Sequence, residues 1–363
     1  TADRIKIGGT AAYDAMVYFN ISSIVNDLEA GDVVLEATIN LSRYASSTGG
    51  EYVKAYPITK DWIGNSAYTW NSFYALGNPV NTQRAIALVG AAYGSNFNHF
   101  DITDLTKKWI AGQANYGIYL DGGSYVEYRS SEYPTDYSKH PYFSLIYVNS
   151  TGLESRSSYY SQSAGRAGTG SVNLFSGNLT WTHSDASISN GFLPISLTHV
   201  YNTNDKDTNI GYGNGWRLNY AQSLEKVSLP NRTGTETYYR LIDGDGTRQY
   251  YKADGANKFV NELDHNSELT FNGSTATIQD KGGNKLIFSY NTTAEKGRLT
   301  TIEDANGNQT LITYSAADYT NNDYLRISSI REKPSGVSAG QQTGFHIQHP
   351  DIICHSGGTQ IGR

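Results

Sequence analysis

Residues 280–290 read DKGGNKLIFSY, and the same pattern returns at 304–314 as DANGNQTLITY. In each copy an Asp is followed three residues later by Gly-Asn, then by a short β-prone run that closes on Tyr. The agreement extends upstream, because TIQD (277–280) leads into the first copy as TIED (301–304) leads into the second. Each unit reads as strand, turn, strand, with Gly283 and Gly307 supplying the positive φ that a tight hairpin turn requires. A lone hairpin cannot bury its apolar face, so a repeat of this kind predicts a sheet that grows by stacking neighbours.

The rest of the chain supports an all-β fold class. Among 363 residues there are 37 Gly and 29 Tyr, and the apolar runs are short and punctuated by Gly, Asn, Asp and Ser. A net charge of -6, with no basic run, argues against a nucleic-acid partner, whose phosphates must be neutralised. The longest apolar stretch, AIALVGAAYG (85–94), is too short to cross a bilayer, which argues against membrane insertion by a helix. Cys354 stands alone, so no internal disulfide framework is expected. The sequence begins at Thr1 with neither Met nor an apolar leader, which reads as a fragment whose targeting peptide would lie upstream.

Residues 1–148 read as a β-sandwich, jelly-roll-like, with one short helix. In VVLEATINLSRY (33–44) Val33, Leu35, Ala37, Ile39 and Leu41 alternate with Glu36, Thr38, Asn40 and Ser42, which gives an apolar and a polar face. HPYFSLIYV (140–148), NYGIYL (115–120) and AMVYFN (15–20) supply further strands. DITDLTKKWIAG (101–112) instead places Ile102, Leu105 and Trp109 on one helical stripe that stops at Gly112, so Trp109 is expected in the core.

The blocks MVYFNISSIVNDLEAGDVVLEATINLSRY, DWIGNSAYTWNS, DITDLTKKWIAGQANYGIYL and YRSSEYPTDYSKHPYFSLIYV resemble, in order, the bacterial DNRLRE domain. His140 stands where that family more often has Arg, and the family's first strand lies at or before Thr1. The resemblance implies a β-sandwich carbohydrate-binding module whose partner is a polysaccharide or cell-wall glycan. Exposed aromatics would stack on sugar C–H faces in such a module. YGSNF (93–97) and YPTDY (133–137) have that character, making Tyr93, Phe97, Tyr133 and Tyr137 the candidate carbohydrate-binding residues. The same rings could equally cover the sandwich edge. Trp62 and Trp70 read as core or loop anchors.

NSTGLESRSSYYSQSAGRAGTG (149–170) reads as a Ser/Gly-rich linker. Beyond it, SVNLFSGNLTWTHSDASISNGFLPISLTHVYNT and GYGNGWRLNY resemble the module that precedes the repeats of RHS/YD-repeat proteins, here 171–240. LIDGDGTRQYY (241–251) and the two Gly-Asn hairpins resemble the YD-type repeats, taken over 241–333. The resemblance implies a β-sheet shell that encloses a C-terminal toxin domain of the parent chain or presents a surface structure. It also implies an extracellular or cell-wall-associated bacterial protein. Residues 334–363 lack a further Gly-Asn hairpin and read as an irregular tail, disordered or truncated. Its His346, His349, Cys354 and His355 have a spacing that matches no standard metal site.

No catalytic residue is expected. GVSAG (336–340) fits the nucleophile-elbow pattern but lacks the strand before and helix after it, and no phosphate loop, zinc-hydrolase helix or redox Cys pair is present. NDKDTN (204–209) and DGDG (243–246) concentrate oxygen ligands, yet Ile210 and Trp216 occupy positions where a helix-loop-helix calcium site needs Gly and Glu. They read as turns. No cofactor is expected, with a structural calcium ion held by separate loops left open. The resulting expectation is a non-catalytic polysaccharide-binding and scaffold segment. The alternatives are a purely structural or adhesive spacer in a toxin-delivery protein and, less economically, an enzyme with an unfamiliar site.

Overall fold

A computed structural model describes residues 3–46, 52–64, 69–82, 85–90, 97–189, 193–231, 234–263, 265–316, 319, 322–336, 344–348, 351–356 and 359–361. The protein is all-β and divides into two compact units, Thr1–Val148 and Asn149–Arg363.

The first unit contains β1 (Arg4–Ile7), β2 (Ala15–Val17), β3 (Asp32–Ser46), β4 (Tyr52–Pro57), β5 (Ala87–Gly90), β6 (Phe97–Asp101), β7 (Ile118–Gly122), β8 (Val126–Arg129) and β9 (Tyr142–Asn149). Its pairings are nested: β1 with β8, β2 with β7, β3 with β6, β4 with β5. One long hairpin folded over on itself gives that pattern, and it yields two sheets ordered β1-β8-β3-β6 and β2-β7-β4-β5, the arrangement of a jelly roll. Ile39, Leu41, Phe100 and Tyr128 of the first sheet meet Val53, Ala55, Ile118 and Leu120 of the second in one core. Alternation along β3 therefore fixes which residues enter it.

The other face of β3 departs from the sequence reading. Thr38, Asn40 and Ser42 are buried, because β9 also joins β3 and brings its polar atoms over them. The Thr38 and Ser144 hydroxyls are 2.7 Å apart, and Asn40 Nδ2 donates to the Tyr142 carbonyl at 3.3 Å. Buried polar groups persist because each has a partner. Leu35, expected inside, is exposed, since it precedes the stretch of β3 that pairs with β6 from Thr38.

The expected helix is present as α3 (Thr103–Ile110), with Leu105 and Trp109 buried and Gly112 at φ +100° just beyond its end. Two more short helices, α1 (Ser22–Asp27) and α2 (Trp70–Tyr74), correct the reading of a single one. At six and five residues neither spans enough chain to display a 3.6-residue period. α2 is nucleated by a capping box between Thr69 and Ser72.

The second unit starts with an antiparallel sheet of β10 (Tyr159–Ser163), β11 (Thr169–Asn173), β12 (Leu179–Ile188), β13 (Ile195–Asn202) and β14 (Trp216–Leu218). A larger meander follows: β15 (Ser223–Asn231), β16 (Gly234–Ile242), β17 (Arg248–Ala253), β18 (Lys258–Asn261), β19 (Ser267–Asn272), β20 (Thr275–Asp280), β21 (Lys285–Asn291), β22 (Lys296–Glu303), β23 (Gln309–Tyr314), β24 (Ile327–Lys333), β25 (Gly344–Gln348), β26 (Asp351–Ser356) and β27 (Thr359–Ile361). The linker reading thus gives way to ordered strand at 159–163 and 169–170. Residues 334–363, read as irregular, carry β25 to β27: β25 pairs with the edge of β24, β26 with β25, and β27 with β26. Ser338 of GVSAG, His349 and Tyr93 lie outside the described residues.

The large sheet curls until it meets itself. Lys296, Gly297 and Arg298 of β22 pair with Glu225, Leu224 and Ser223 of β15. Farther along the same strand, Thr301 to Glu303 pair with β23. Strands β15 to β22 thereby close a ring, from which the meander continues, as a strongly twisted antiparallel sheet can do. Ile195, Leu197 and Leu218 of the small sheet share one core with Leu224, Leu241, Leu269, Phe288 and Leu299 of the ring.

The repeated motif is one turn used again. Asp280 N donates to Asn284 O at 3.0 Å, and Asp304 N to Asn308 O at 3.0 Å. Each Asp carboxylate accepts from the backbone N and the side-chain amide of its Asn at 2.8–2.9 Å. Gly283 and Gly307 have φ +89° and +82°. The Asn bonds hold both carboxyls below the usual carboxylate range, so their stabilisation is present above the unfolded-state pKa and lost as pH falls through the folded one. An Asp280→Asn, Asp304→Asn double variant should accordingly melt below the wild type near pH 6, with the gap in Tm closing as pH approaches about 2. Melting curves across that range check the sign.

Candidate functional site

The distal end of β3 gathers Phe97, Tyr133 and Tyr137 of the aromatic residues singled out in the sequence. The register of β3 against β8 slips between Arg43 and Ala45, leaving Tyr44 as the extra residue of a bulge. Bulges re-aim side chains, and Tyr44 emerges 41% exposed. The Arg4 guanidinium lies 3.9 Å from its ring centroid and that of Arg129 5.2 Å. Arg129 also sits 5.0 Å from the Tyr133 ring, which meets Tyr44 edge-on at 6.2 Å. Cations over ring faces fix the rings in place.

Two further candidates adjoin this group. Phe97, opposite Ser42 on β6, packs edge-on against Tyr142 at 5.5 Å, with Lys139 Nζ 5.9 Å from its centroid. Arg129 Nη1 contacts the Ser42 hydroxyl at 3.1 Å and also donates to the Arg43 carbonyl. Tyr137 begins a single 3-10 turn capped by the Asp136 carboxylate, and its ring rests against His140, whose Nε2 is 2.8 Å from the Tyr133 carbonyl. It is 79% exposed.

Phe97, Tyr133 and Tyr137 are therefore brought to one face, and Tyr44 joins them without having been anticipated. Hydrogen bonds from Thr135 and Arg129 hold the Tyr133 phenol below its ordinary value. Glu127, buried beside Arg4, is held low by the Tyr125 hydroxyl and by Arg4 at 3.2 Å. Rings edged by guanidinium and ammonium donors present both an apolar surface and hydrogen-bond donors, the two needs of a sugar ring. Trp62, read as an anchor, is one: its indole N–H donates to the Tyr116 carbonyl at 2.7 Å.

The second unit holds a buried polar cluster that sequence reading missed. LIDGDGT repeats the hairpin turn, with Asp243 N donating to Thr247 O at 3.0 Å and Gly246 at φ +96°. Here the turn is buried against three other segments. Asp245 Oδ2 accepts from Leu153 N at 3.1 Å, and Asn202 bridges Gly152 N at 2.9 Å and the Asp245 carbonyl at 2.7 Å. Arg217 and Arg248 flank the buried Asp205 at 3.5 and 3.3 Å. Both acidic segments once considered for calcium are engaged here as turn and ion-pair partners. Among the described residues no group of three or more His, Cys, Asp or Glu side chains is placed to hold a metal ion.

Fold and site together define an all-β protein: a jelly-roll sandwich with a cationic aromatic face, and a small sheet seated on a curled hairpin meander. A family model described as a domain of unknown function, DUF6531, matches residues 169–251. That segment runs from β11 to β17 and holds Asn202, Asp205, Arg217, Asp243, Asp245 and Arg248. No curated protein matches the chain.

Proposed function

We propose that the chain is a non-catalytic segment of a secreted or cell-wall-associated bacterial RHS/YD-repeat protein. In this reading the jelly roll holds a polysaccharide or cell-wall glycan, and the curled meander is the scaffold, with an enclosed C-terminal toxin domain of the parent chain as the scaffold's partner. The observation that carries the binding half is the grouping of Tyr44, Tyr133, Tyr137 and Phe97 with Arg4, Arg129 and Lys139 on one face. A non-catalytic role is supported by the commitments of the nearby carboxylates, Glu127 to Tyr125 and Arg4 and Asp136 to the Ser138 backbone. The scaffold half is supported by the β15–β22 closure and by the repeated turn.

Tyr44→Ala and Tyr137→Ala should each weaken retention on a bound polysaccharide about tenfold, the effect of losing one well-placed ring. Tyr160→Ala, which removes an exposed ring of the second unit, should leave retention unchanged. Affinity electrophoresis of the full chain distinguishes these outcomes. Equal retention by all three variants would remove this face from the site.

A further inference from the structure

The small sheet of the second unit has two unlike faces, because side chains alternate along each strand. Thr180, Asn202 and Arg217 turn toward the buried polar cluster. Cross-strand register places Trp181 of β12, Tyr201 of β13 and Trp216 of β14 in one row on the opposite face. That face begins in the core with Ile195, Leu197 and Leu218. The row lies farther out, past the facing pair His183 and His199, and its three rings are partly exposed.

Two of the rings are fixed in place by glycines. Trp181 lies across Gly170, where a Cβ would stand 3.1 Å from the six-membered ring, and its indole N–H donates to the Ala167 carbonyl at 3.1 Å. Tyr201 lies over Gly215, where a Cβ would come within 2.5 Å of the ring. Rings held in this way lose little freedom when a ligand binds. Tyr201 and Trp216 stand 5.3 Å apart with planes tilted by 47°, so the pair makes a wedge and not a flat platform. Among the described residues, neither the Tyr201 hydroxyl nor the Trp216 indole N–H is engaged in a hydrogen bond, and neither is sealed from water. The charges beside the row are already met. Asp185 gives one oxygen to each Nδ1 of His183 and His199, at 2.9 and 2.5 Å, and the Lys206 charge that reaches Tyr201 is paired with Asp207 at 2.8 Å.

We propose that this row docks a proline-rich peptide in the polyproline II conformation. Neighbouring strands lie about 4.8 Å apart, so Trp181 and Trp216, two strands from each other, rise from backbones about 10 Å apart. A polyproline II helix has three residues per turn and advances about 3.1 Å with each, so the prolines of a Pro-x-x-Pro segment laid across the strands recur at nearly that interval. Pyrrolidine rings fit an aromatic wedge. The helix has no internal hydrogen bonds, which frees its carbonyls to accept from the Tyr201 hydroxyl and the Trp216 N–H. With its charges paired, the site matches an uncharged ligand, whereas an acidic or basic peptide would find no free counter-charge. The glycan reading of the jelly roll uses none of these residues and stands or falls separately.

Fluorescence anisotropy of a labelled oligoproline titrated with the full chain tests the proposal, since that peptide offers a ring at every third position in any register. Saturable binding is expected, with none to a Gly-Ser peptide of equal length. Trp216→Ala should weaken it about tenfold, and Trp216→Phe, which keeps a ring but loses the N–H, several-fold. Tyr160→Ala removes an exposed ring of the same face outside the row and should bind as wild type. Equal binding of the two peptides, or unchanged affinity in Trp216→Ala, overturns the proposal. Displacement of the oligoproline by a neutral oligosaccharide such as cellohexaose also overturns it, because the row would then be a sugar platform. Should Trp216→Ala fail to fold, unchanged affinity in Trp216→Phe is equally decisive against it.

Discussion

Asp205→Ala is expected to destabilise the second unit by about 3–5 kcal/mol, the usual consequence of removing one partner from a buried ion pair. Asp205 is 7% exposed, and its two carboxylate oxygens serve Arg248 and Arg217 at 3.3 and 3.5 Å. Burial already draws the Arg217 guanidinium below its ordinary value against the pull of Asp205 and Asp243. Without Asp205, two cations would stand in a region from which their counter-charge had gone. Urea titration followed at the second unit should show a lower midpoint with an unchanged slope. Asp207→Ala supplies the contrast, because the Lys206–Asp207 pair is exposed and such pairs contribute little.

Gly152→Ala should be nearly as damaging, at about 3 kcal/mol or more, because two effects combine. Its φ of +82° disfavours any side chain, and the added Cβ would strike the Thr247 backbone and hydroxyl and the Asp245 carboxylate. Relief would require the connector to leave Asn202 and Asp245, breaking the bonds that hold it. Gly273→Ala isolates the backbone part. Gly273 also has positive φ, +59°, but nothing lies within 4 Å of a Cβ there, so about 1 kcal/mol is expected. Comparable losses in the two variants would mean that the connector is not held as described.

Local features of the fold were readable where neighbours in sequence decide them. Period-two alternation placed Ile39 and Leu41 in the sandwich core, the helical stripe placed Trp109, and Asp with Gly-Asn gave the turns at 280 and 304. Long-range contacts hid the rest. Thr38, Asn40 and Ser42 look like a solvent face until β9 crosses them, a strand about a hundred residues later in the chain. Gly152 looks like linker because its partners, Asn202 and Asp245, lie far along the sequence, and the Gly-Leu-Glu around it carries no period. Tyr44 escaped notice for a local reason: it falls within a regular alternation, and a bulge leaves no mark in residue types. The closing of β15 on β22 depends on accumulated twist over eight strands, which no single hairpin displays.

Retention of the full chain on a panel of soluble and insoluble polysaccharides, peptidoglycan included, with and without calcium, tests the central claim most directly. The account predicts saturable binding to at least one member, lost in a Tyr44→Ala, Tyr133→Ala, Tyr137→Ala variant that melts at the wild-type temperature. Absence of binding to every member by a folded protein would contradict it, and would leave the jelly roll as a spacer.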